Sequence, residues 1–217
     1  MGVKERKERE RADVREKILD AARDMFASDG IDSVTMRAIA DRIEYSPPVI
    51  YSHFRDKQAL LQELCYRDFR ALAQAFGRVG RIEDPIERLG RIGTAYVDFA
   101  LQNPSQYRFM FMTPKPPDSY SAMRDGSKGN PEEDAYAFLC NAVAEGIAAG
   151  RFRPEFDDVE ELAQMLWASS HAIVSLQIAK DGDPWIEWRD ARETSRKLSE
   201  AVLRGVLREP NQGVGAP

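Results

Sequence analysis

Cysteine and histidine are scarce in this chain, which limits the chemistry that its side chains can perform. The 217 residues include two cysteines, Cys65 and Cys140, and two histidines, His53 and His171. The cysteines form no CxxC pair and no disulfide framework, and a metal site needs a denser group of histidine, cysteine and carboxylate residues than this sequence offers. We therefore predict no metal site, no cofactor, and structural thiols in a reducing compartment.

Long apolar runs and catalytic motifs are also lacking. No apolar stretch approaches the roughly 20 residues that span a bilayer, and the first 17 residues are densely charged, without the apolar centre of a signal peptide. The sequence contains no HExxH, GxSxG, phosphate-binding or dinucleotide-binding motif. These absences predict a cytoplasmic protein that is not an enzyme.

The charge distribution neither requires nor excludes a nucleic-acid partner. The net charge of −5 argues mildly against such a partner. Residues 1–60 carry 12 Lys/Arg and 12 Asp/Glu, so this part is neutral and the negative charge belongs to the rest of the chain. An acidic body behind a neutral DNA-facing end can limit non-specific binding.

Residues 35–60 contain the most informative pattern, which predicts two short helices and the start of a third. Thr35 is a good N-cap, and the apolar residues that follow it repeat at helical spacing. Ser46 caps the second helix, whose first position holds Pro47, where proline loses no hydrogen bond. Asp56 caps the third helix. This arrangement is typical of a helix-turn-helix, which lays its second helix in the DNA major groove.

This segment resembles the DNA-binding domain of the tetracycline-repressor-like (TetR) family of bacterial transcription regulators. That family shows a capping Thr, an apolar helix, a turn, a recognition helix ending in Tyr-x-x-Phe, and a Lys that opens the next helix. One departure is Glu44, which stands where the family usually has Gly, so this residue either tolerates φ > 0 at some cost or changes the turn slightly. The matching positions are Thr35, Ile39, Ala40, Ile43, Ser46, Tyr51, His53, Phe54 and Lys57.

The resemblance and the residue chemistry together predict a surface for a double-stranded DNA operator. Lys57 opens a helix, where an ammonium and free N–H groups suit a phosphate, and Tyr51 and His53 can donate to phosphates as well. Pro47 and Pro48 offer few hydrogen bonds, and their rings suit the thymine C5-methyl instead. The predicted DNA-binding residues are Thr35, Arg37, Ser46, Pro47, Pro48, Val49, Tyr51, His53 and Lys57.

Strand signals are almost absent, so we predict an all-α fold of about nine helices. An N-terminal helix-turn-helix three-helix domain over 13–57 precedes a C-terminal helical ligand-binding and dimerisation domain over 58–208. Residues 1–12 are predicted to form a flexible charged arm, either a solvated, frayed helix end or an arm that reaches DNA. The loop over 113–131 is interpreted as a lid or a disordered loop, and residues 209–217 as a disordered tail.

The C-terminal part resembles, more weakly, a subclass of the same family that carries a Trp, a His and usually a Gly. Here these are Trp167 and His171, followed by Ala172 in place of the Gly. The aromatic residues of this region predict either an ordinary core or, as the resemblance implies, a pocket for a small-molecule ligand. The predicted lining is Tyr96, Phe99, Tyr107, Phe111, Phe138, Trp167 and His171.

Stripes of small and aliphatic residues in the last two predicted helices indicate close packing against a second copy of the chain. The predicted dimer contacts are Ala168, Ala172, Ser175, Ala191, Ser195, Leu198 and Val202.

These features together predict a homodimeric, DNA-binding transcriptional regulator, which the resemblance implies is a repressor released from a palindromic operator by a small-molecule ligand. Two alternatives stay open. One is an all-α small-molecule binding protein or enzyme without DNA binding, which the neutral N-terminal part favours. The other is a ligand-independent activator or architectural DNA binder.

Overall fold

The computed structural model describes residues 2–121 and 127–208, and these residues form nine α-helices and no β-strand. The all-α prediction is therefore confirmed, while the predicted tail, 209–217, lies outside the described residues. A π-helix (Arg108–Met112) and a 3-10 helix (Pro117–Tyr120) follow α6. The α-helices are α1 (Val3–Asp29), α2 (Met36–Arg42), α3 (Pro47–His53), α4 (Lys57–Gly77), α5 (Pro85–Gln102), α6 (Pro104–Tyr107), α7 (Ala135–Ala148), α8 (Val159–Ala179) and α9 (Ala191–Val206).

Internal contacts divide the chain into two compact units. Unit 1 contains the residues up to Arg70 together with Asn103–Lys128, and unit 2 contains Ala71–Gln102 together with the residues from Gly129 onward. Helix α4 therefore continues from one unit into the other. The sequence-based limits, 13–57 and 58–208, differ from this division because no sequence pattern indicates which helix face a later segment will cover.

Helix α1 begins at Val3, so the segment predicted as a flexible arm, 1–12, is helical from that residue on. The Gly2 N–H donates to the Glu5 carboxylate (3.0 Å), and an i,i+4 ion pair follows one turn later. Such interactions each favour the helix by a small amount, and a helix that starts here fits the first of the two predicted alternatives, a solvated helix end. The helix ends at Gly30, whose φ of +81° lies in the region that favours glycine.

Helices α2 and α3 form the predicted helix-turn-helix. The Thr35 hydroxyl caps α2 by accepting a hydrogen bond from the Ala38 N–H (3.0 Å). Helix α3 begins with Pro47 and Pro48, and its N-cap residue Ser46 makes no side-chain capping bond. Because proline has no N–H, the first two positions of α3 leave no donor for a cap to satisfy.

The turn between α2 and α3 contains Glu44, which has a φ of +60° although it is not glycine. This conformation costs a residue with a Cβ about 1–2 kcal/mol. The turn is held in place because the Tyr45 N–H donates to the Ala40 carbonyl (3.0 Å) and because Ile39 and Ile50 are fully buried on its two sides. The packing of both helices thus offsets the strain of the turn.

The segment between α5 and α7 packs onto α1 and α4 within unit 1. Phe109 stacks against Phe26 of α1, with ring centroids 6.2 Å apart. Phe111 meets Phe69 of α4 edge-on at 5.7 Å. Residues that follow α5 in the sequence therefore complete the core of the N-terminal helices.

The beginning of the loop predicted over 113–131 is also packed on α4. The Gln62 side-chain amide donates to the Asp118 carbonyl (3.1 Å) and to the Ser121 hydroxyl (2.8 Å). These contacts lie in and next to the 3-10 helix, so this part of the segment is regular structure within unit 1. Residues 122–126 lie outside the described residues.

A buried ion pair joins α1, α4 and α6. Asp68 is only 1% exposed, and its two carboxylate oxygens accept hydrogen bonds from Nε and Nη2 of Arg23, each at 2.9 Å. The Gln106 amide donates to the same carboxylate (3.1 Å). Burial raises the pKa of Asp68, while the hydrogen bonds and charge of Arg23 oppose that shift. Arg23 and Gln106 thus provide the hydrogen bonds that water would make to an exposed Asp68 carboxylate.

Unit 2 contains α5, α7, α8 and α9, together with the end of α4. The side chains of Asp134, Asp158 and Asp190 cap α7, α8 and α9 by accepting hydrogen bonds from backbone N–H groups of the first turn. Helix α9 begins at Ala191, directly after its cap Asp190.

We predict that the Glu44→Gly variant is more stable than the Glu44→Ala variant by about 1 kcal/mol, because glycine adopts φ > 0 without a Cβ clash. Both variants remove the same charge, so the difference between them reports the backbone strain. The measurement is the free energy of unfolding of the full chain in urea. Equal values for the two variants would contradict the assignment of strain to this turn.

Candidate DNA-binding and ligand-binding sites

The outward face of α3 consists of hydroxyl and apolar side chains. Ile50 is fully buried on the inner side of the helix, while Pro48, Tyr51 and Ser52 are exposed, Tyr51 to 53%. Side chains beside this face, such as Val49, are half-buried. The predicted residues that the structure places on or next to this surface are Ser46, Pro47, Pro48, Val49, Tyr51 and His53.

Polar and cationic side chains lie exposed near both ends of the helix-turn-helix. Thr35 and Arg37 are exposed at the start of α2, and Arg42 is exposed at its end. Arg55, which directly follows the end of α3, has a side chain that is 79% exposed. The Thr35 hydroxyl accepts its capping bond and keeps its own O–H for donation. These groups have the chemistry that contacts phosphates.

Lys57 is placed differently from what its position in the sequence indicated. Its ammonium donates to two backbone carbonyls of the α1–α2 connection, those of Ile31 (2.9 Å) and Val34 (3.0 Å). The side chain is half-buried. Since an ammonium has three donors, one remains for a phosphate, and the other two tie the start of α4 to the segment that precedes α2.

Two arginines of α1, which the sequence reasoning missed, hold the C-terminal end of α3. Arg15 donates to the His53 carbonyl (3.2 Å), and its guanidinium lies 4.3 Å from the centroid of the Phe54 ring. Arg11 donates to the Ser52 carbonyl at 3.4 Å. Cations at a helix C-terminus are favourable because the last carbonyls are unsatisfied. The i,i+4 spacing of the two arginines was the available signal.

These arginines also affect His53. Burial lowers the pKa of His53 below its ordinary value, and the charges of Arg11 and Arg15 lower it further. The imidazole is therefore neutral at pH 7 and can donate one N–H.

In unit 2, three of the predicted ligand-binding side chains lie together on α5 and α8. The Tyr96 hydroxyl is 2.8 Å from Nδ1 of His171, and the rings of Trp167 and His171 meet edge-on at 5.7 Å. Burial lowers the pKa of His171, which keeps its ring neutral at pH 7. Trp167 is 36% exposed, whereas Tyr96 is buried. The group thus joins a buried hydroxyl to a partly open aromatic surface.

Tyr136 of α7 extends this group and was not predicted from the sequence. Its ring centroid lies 6.2 Å from that of Trp167, and its hydroxyl donates to Glu160 (2.6 Å). Burial and the hydrogen bond to Glu160 raise the pKa of Tyr136 to about 12, so the phenol stays protonated. Gln164 donates to the same hydroxyl at 3.4 Å. Glu160, Gln164, Trp167 and His171 recur at helical spacing on one side of α8. This spacing was the sequence signal for the side chains that surround Tyr136 and Trp167.

The other predicted lining residues are Tyr107, Phe111, Phe99 and Phe138, and each has contacts or burial within its own unit. Tyr107 and Phe111 belong to unit 1, where their ring centroids lie 5.0 Å apart and Tyr107 is fully buried. Phe99 is 8% exposed, and Phe138 packs against Phe76 with centroids 6.1 Å apart. These contacts fit ordinary core packing, and the lining of a ligand site by these four residues stays a prediction.

A cavity of about 490 Å³ that the sequence did not indicate lies between α5 and α9. Its floor includes Gly93, where a Cβ would come within 3.2 Å of the Ser170 hydroxyl oxygen and 3.6 Å of that of Ser199. Glycine thus allows α5, α8 and α9 to approach closely at this point. Charged side chains of both signs, including Arg91 and Glu200, line the cavity.

The predicted dimer residues fall into two groups. Ala168 and Ala172 are exposed on α8, on the same side as Met165 and Leu176, which are 38% and 52% exposed, while Ser175 is half-exposed. Leu198 and Val202 of α9 are half-exposed as well, but Ala191 and Ser195 are buried by the chain itself. The surface predicted for a partner is corrected at these last two positions, because small residues also serve the packing of α9 onto α5 and α8.

Neither metal clusters nor membrane-spanning helices occur in the parts of the chain that the structure describes. No group of three or more His, Cys, Asp or Glu side chains among residues 2–121 and 127–208 is placed to hold a metal ion. No described helix is both long enough and apolar enough to cross a membrane.

Two family models match this chain. Residues 18–64 match the model for bacterial regulatory proteins of the tetR family. Residues 89–206 match the model for a tetracyclin repressor-like C-terminal domain. The first match contains the helix-turn-helix, and the second covers more than half of the chain.

Individual proteins are similar over different lengths. The HTH-type transcriptional regulator UidR of Escherichia coli (strain K12) is 37% identical over 90 residues, which cover 41% of this chain and 40% of that protein. The chain thus spans less than half the length of such curated relatives. Tetracycline repressor protein class A from transposon 1721 of Escherichia coli is 28% identical over 202 residues, or 88% of this chain and 76% of that protein.

A solved structure shows the shared fold. The fatty acid degradation regulator FadR from Bacillus halodurans superimposes with a TM-score of 0.71 at 18% identity, over 88% of this chain and 95% of that chain.

We predict that Lys57→Ala lowers the free energy of unfolding by about 1–3 kcal/mol, because two buried carbonyl groups lose a charged donor. The measurement is urea denaturation of the full chain. Arg55→Ala is the matched control, since it removes the same charge from an exposed neighbour and should change stability by less than about 0.5 kcal/mol. Equal stability of the two variants would contradict the structural role of Lys57.

Proposed function

Because the chain belongs to the TetR family of transcriptional regulators, which are not enzymes, we propose that it acts in the cytoplasm as a homodimeric repressor that a small-molecule ligand releases from a palindromic operator. Helices α1–α3 and the start of α4 contact the DNA. Unit 2 provides the ligand site and the dimer interface.

The exposed outward face of α3 is the observation that carries the DNA-binding proposal. A seven-residue helix keeps Ile50 in the core and turns Pro48 and Tyr51 to solvent, which is what insertion into a major groove requires. The strained turn at Glu44 and the Arg15 contact both fix the direction of this helix. Exposed arginines at its ends are placed to meet phosphates.

The outward face of α8 supports a dimer. Met165, Ala168, Ala172 and Leu176 expose apolar side chains along one line of this helix. Contiguous apolar surface on a soluble protein marks an interaction site, and small residues allow a second helix to approach closely. Two copies related by a two-fold axis would bury this line against itself, together with the half-exposed part of α9.

The group of Tyr96, Trp167 and His171 supports a ligand that is aromatic or amphipathic. A neutral imidazole and a phenol hydroxyl offer hydrogen bonds beside aromatic ring faces. Helix α4 continues from the unit that contains Lys57 into the unit that contains this group. If a ligand lowers the affinity for DNA through such a connection, bound DNA must lower the affinity for that ligand by the same factor.

We predict that the chain binds duplex DNA from its own upstream region as a dimer, at a site with two half-sites separated by about one helical turn, ~34 Å, or a multiple of it. The measurements are a mobility-shift titration and a footprint, with light scattering of the complex. Ala201→Arg, which adds a charge on the exposed side of α9, should produce monomers, since a buried unpaired charge is costly.

Loss of dimer and of operator affinity in Ala201→Arg, with an unchanged helical spectrum, is the expected combination. A variant that stays dimeric at micromolar concentration would place the interface elsewhere. A wild-type protein that binds no upstream duplex would instead favour an all-α ligand-binding protein without DNA binding.

We predict that Trp167→Ala still folds and binds operator but responds to a ligand at least tenfold more weakly, because the loss of a large aromatic contact costs more than about 1.4 kcal/mol of binding. The measurement is release of operator DNA during titration with a compound found by thermal-shift screening. Trp185→Ala is the matched control, since Trp185 is 91% exposed in the α8–α9 connection.

If the same ligand concentration releases operator DNA from the wild type and from the Trp167→Ala variant, the ligand site lies elsewhere. If no compound changes the DNA affinity of the wild type, the protein is a ligand-independent DNA binder.

A further inference from the structure

The outward face of α3 carries no side chain that forms paired hydrogen bonds with a base. Residues 45–52 include no Arg, Lys, Asn, Gln, Asp or Glu. These residue types discriminate guanine, adenine and cytosine by hydrogen bonds in the major groove. The exposed face of α3 therefore has to select its sequence by other contacts.

Backbone donors are missing from the leading end of α3 as well. Pro47 and Pro48 have no N–H group, and the Val49 N–H donates to the Ser46 carbonyl at 2.9 Å. A helix without prolines would present free N–H groups at this end. Here the same region presents the ring methylenes of Pro48 and the methyl groups of Val49.

The hydroxyl groups of this face discriminate poorly between bases. Ser52 donates its O–H to the Val49 carbonyl (2.7 Å), which leaves its oxygen as an acceptor only. A single hydroxyl such as that of Tyr51 or Ser46 contacts more than one kind of base edge. Arg55, which follows the end of α3, suits a phosphate, and phosphate contacts position a protein without reading its sequence. Arg37 and Arg42 are exposed as well, but they belong to α2 and lie outside the face of α3.

We propose that Pro48 and Val49 select the operator through thymine C5-methyl groups, so that each half-site is defined by where its thymines face α3. The methyl is an apolar group on the major-groove edge of a T·A pair, and it matches apolar side chains, whereas cytosine has only a hydrogen at C5 and an amino donor on the neighbouring C4. This inference rests on the proposed DNA-binding function and adds the class of base that the protein recognises.

The first step of the test is selection of duplexes from a random-sequence pool by the full-length protein. The expected result is thymine at fixed positions in both half-sites. In the selected duplex, deoxyuridine then replaces thymidine, which removes the methyl and keeps the Watson–Crick pair. Affinity should fall about fourfold for each contacted methyl, and the same replacement outside the half-sites should have no effect.

Two variants connect this loss to the named side chains. Pro48→Ala and Val49→Ala should each bind the thymidine duplex more weakly and lose less affinity when deoxyuridine replaces thymidine at the position that the side chain contacts. Arg55→Ala is the control, because loss of a phosphate contact should weaken both duplexes by the same factor and lower the salt dependence. Urea denaturation verifies that each variant is folded.

A rescue arm separates methyl recognition from DNA shape. Replacing a contacted T·A pair by C·G should reduce affinity, and 5-methyldeoxycytidine at that position should restore part of it, since its methyl occupies the same place in the groove. Enrichment of no duplex would overturn the proposed DNA-binding function itself. A selected duplex that tolerates deoxyuridine would overturn the thymine-methyl inference alone, and an equal deoxyuridine effect in wild type and both α3 variants would overturn the assignment to Pro48 and Val49.

Discussion

The geometry of unit 1 depends on one buried ion pair. The Asp68 carboxylate is 1% exposed, and it is stable there because Arg23 and Gln106 supply the donors that water would otherwise provide. Removing one partner of such a pair costs about 3–5 kcal/mol, since a charge is left buried without compensation. Helices α1, α4 and α6 are therefore held in the one arrangement in which all three side chains meet. The aromatic pairs around them add buried area but tolerate a wider range of angles.

The position of α1 in turn sets the direction of α3. Because α1 is fixed at Arg23, its earlier turns place Arg15 against the His53 carbonyl and the Phe54 ring. Glu44 fixes the other end of the recognition helix through a strained turn. A short helix with two prolines has few backbone hydrogen bonds of its own. These contacts with other segments therefore fix its position, as additional helical turns would do in a longer helix.

Local features of this chain were predictable from its sequence, and non-local ones were not. The cap at Thr35, the end of α1 at Gly30 and the unusual turn at Glu44 depend on neighbouring residues, so a short window of sequence contains what determines them. The partners of Lys57, Arg15 and Arg23 lie 26, 38 and 45 residues away, and no spacing rule links them. Aromatic and small residues were ambiguous for another reason. Phe99 and Ser195 fit an internal core as well as they fit a ligand or a partner, and the sequence alone does not separate these roles.

The path of the chain restricts how this protein can change over evolutionary time. The chain leaves unit 1 at Arg70–Ala71, returns to it at Gln102–Asn103 and leaves it again at Lys128–Gly129. A recombination event that joined the first 70 residues to the body of another regulator would remove Phe109 and Gln106 from α1 and α4, and would expose Phe26 and an unpaired part of Asp68. Unit 1, which contains the helix-turn-helix, is thus not a continuous segment that a single crossover can exchange. New operators are more accessible to such a chain by point substitution on the outward face of α3, where Pro48 and Tyr51 are exposed and lie outside the core.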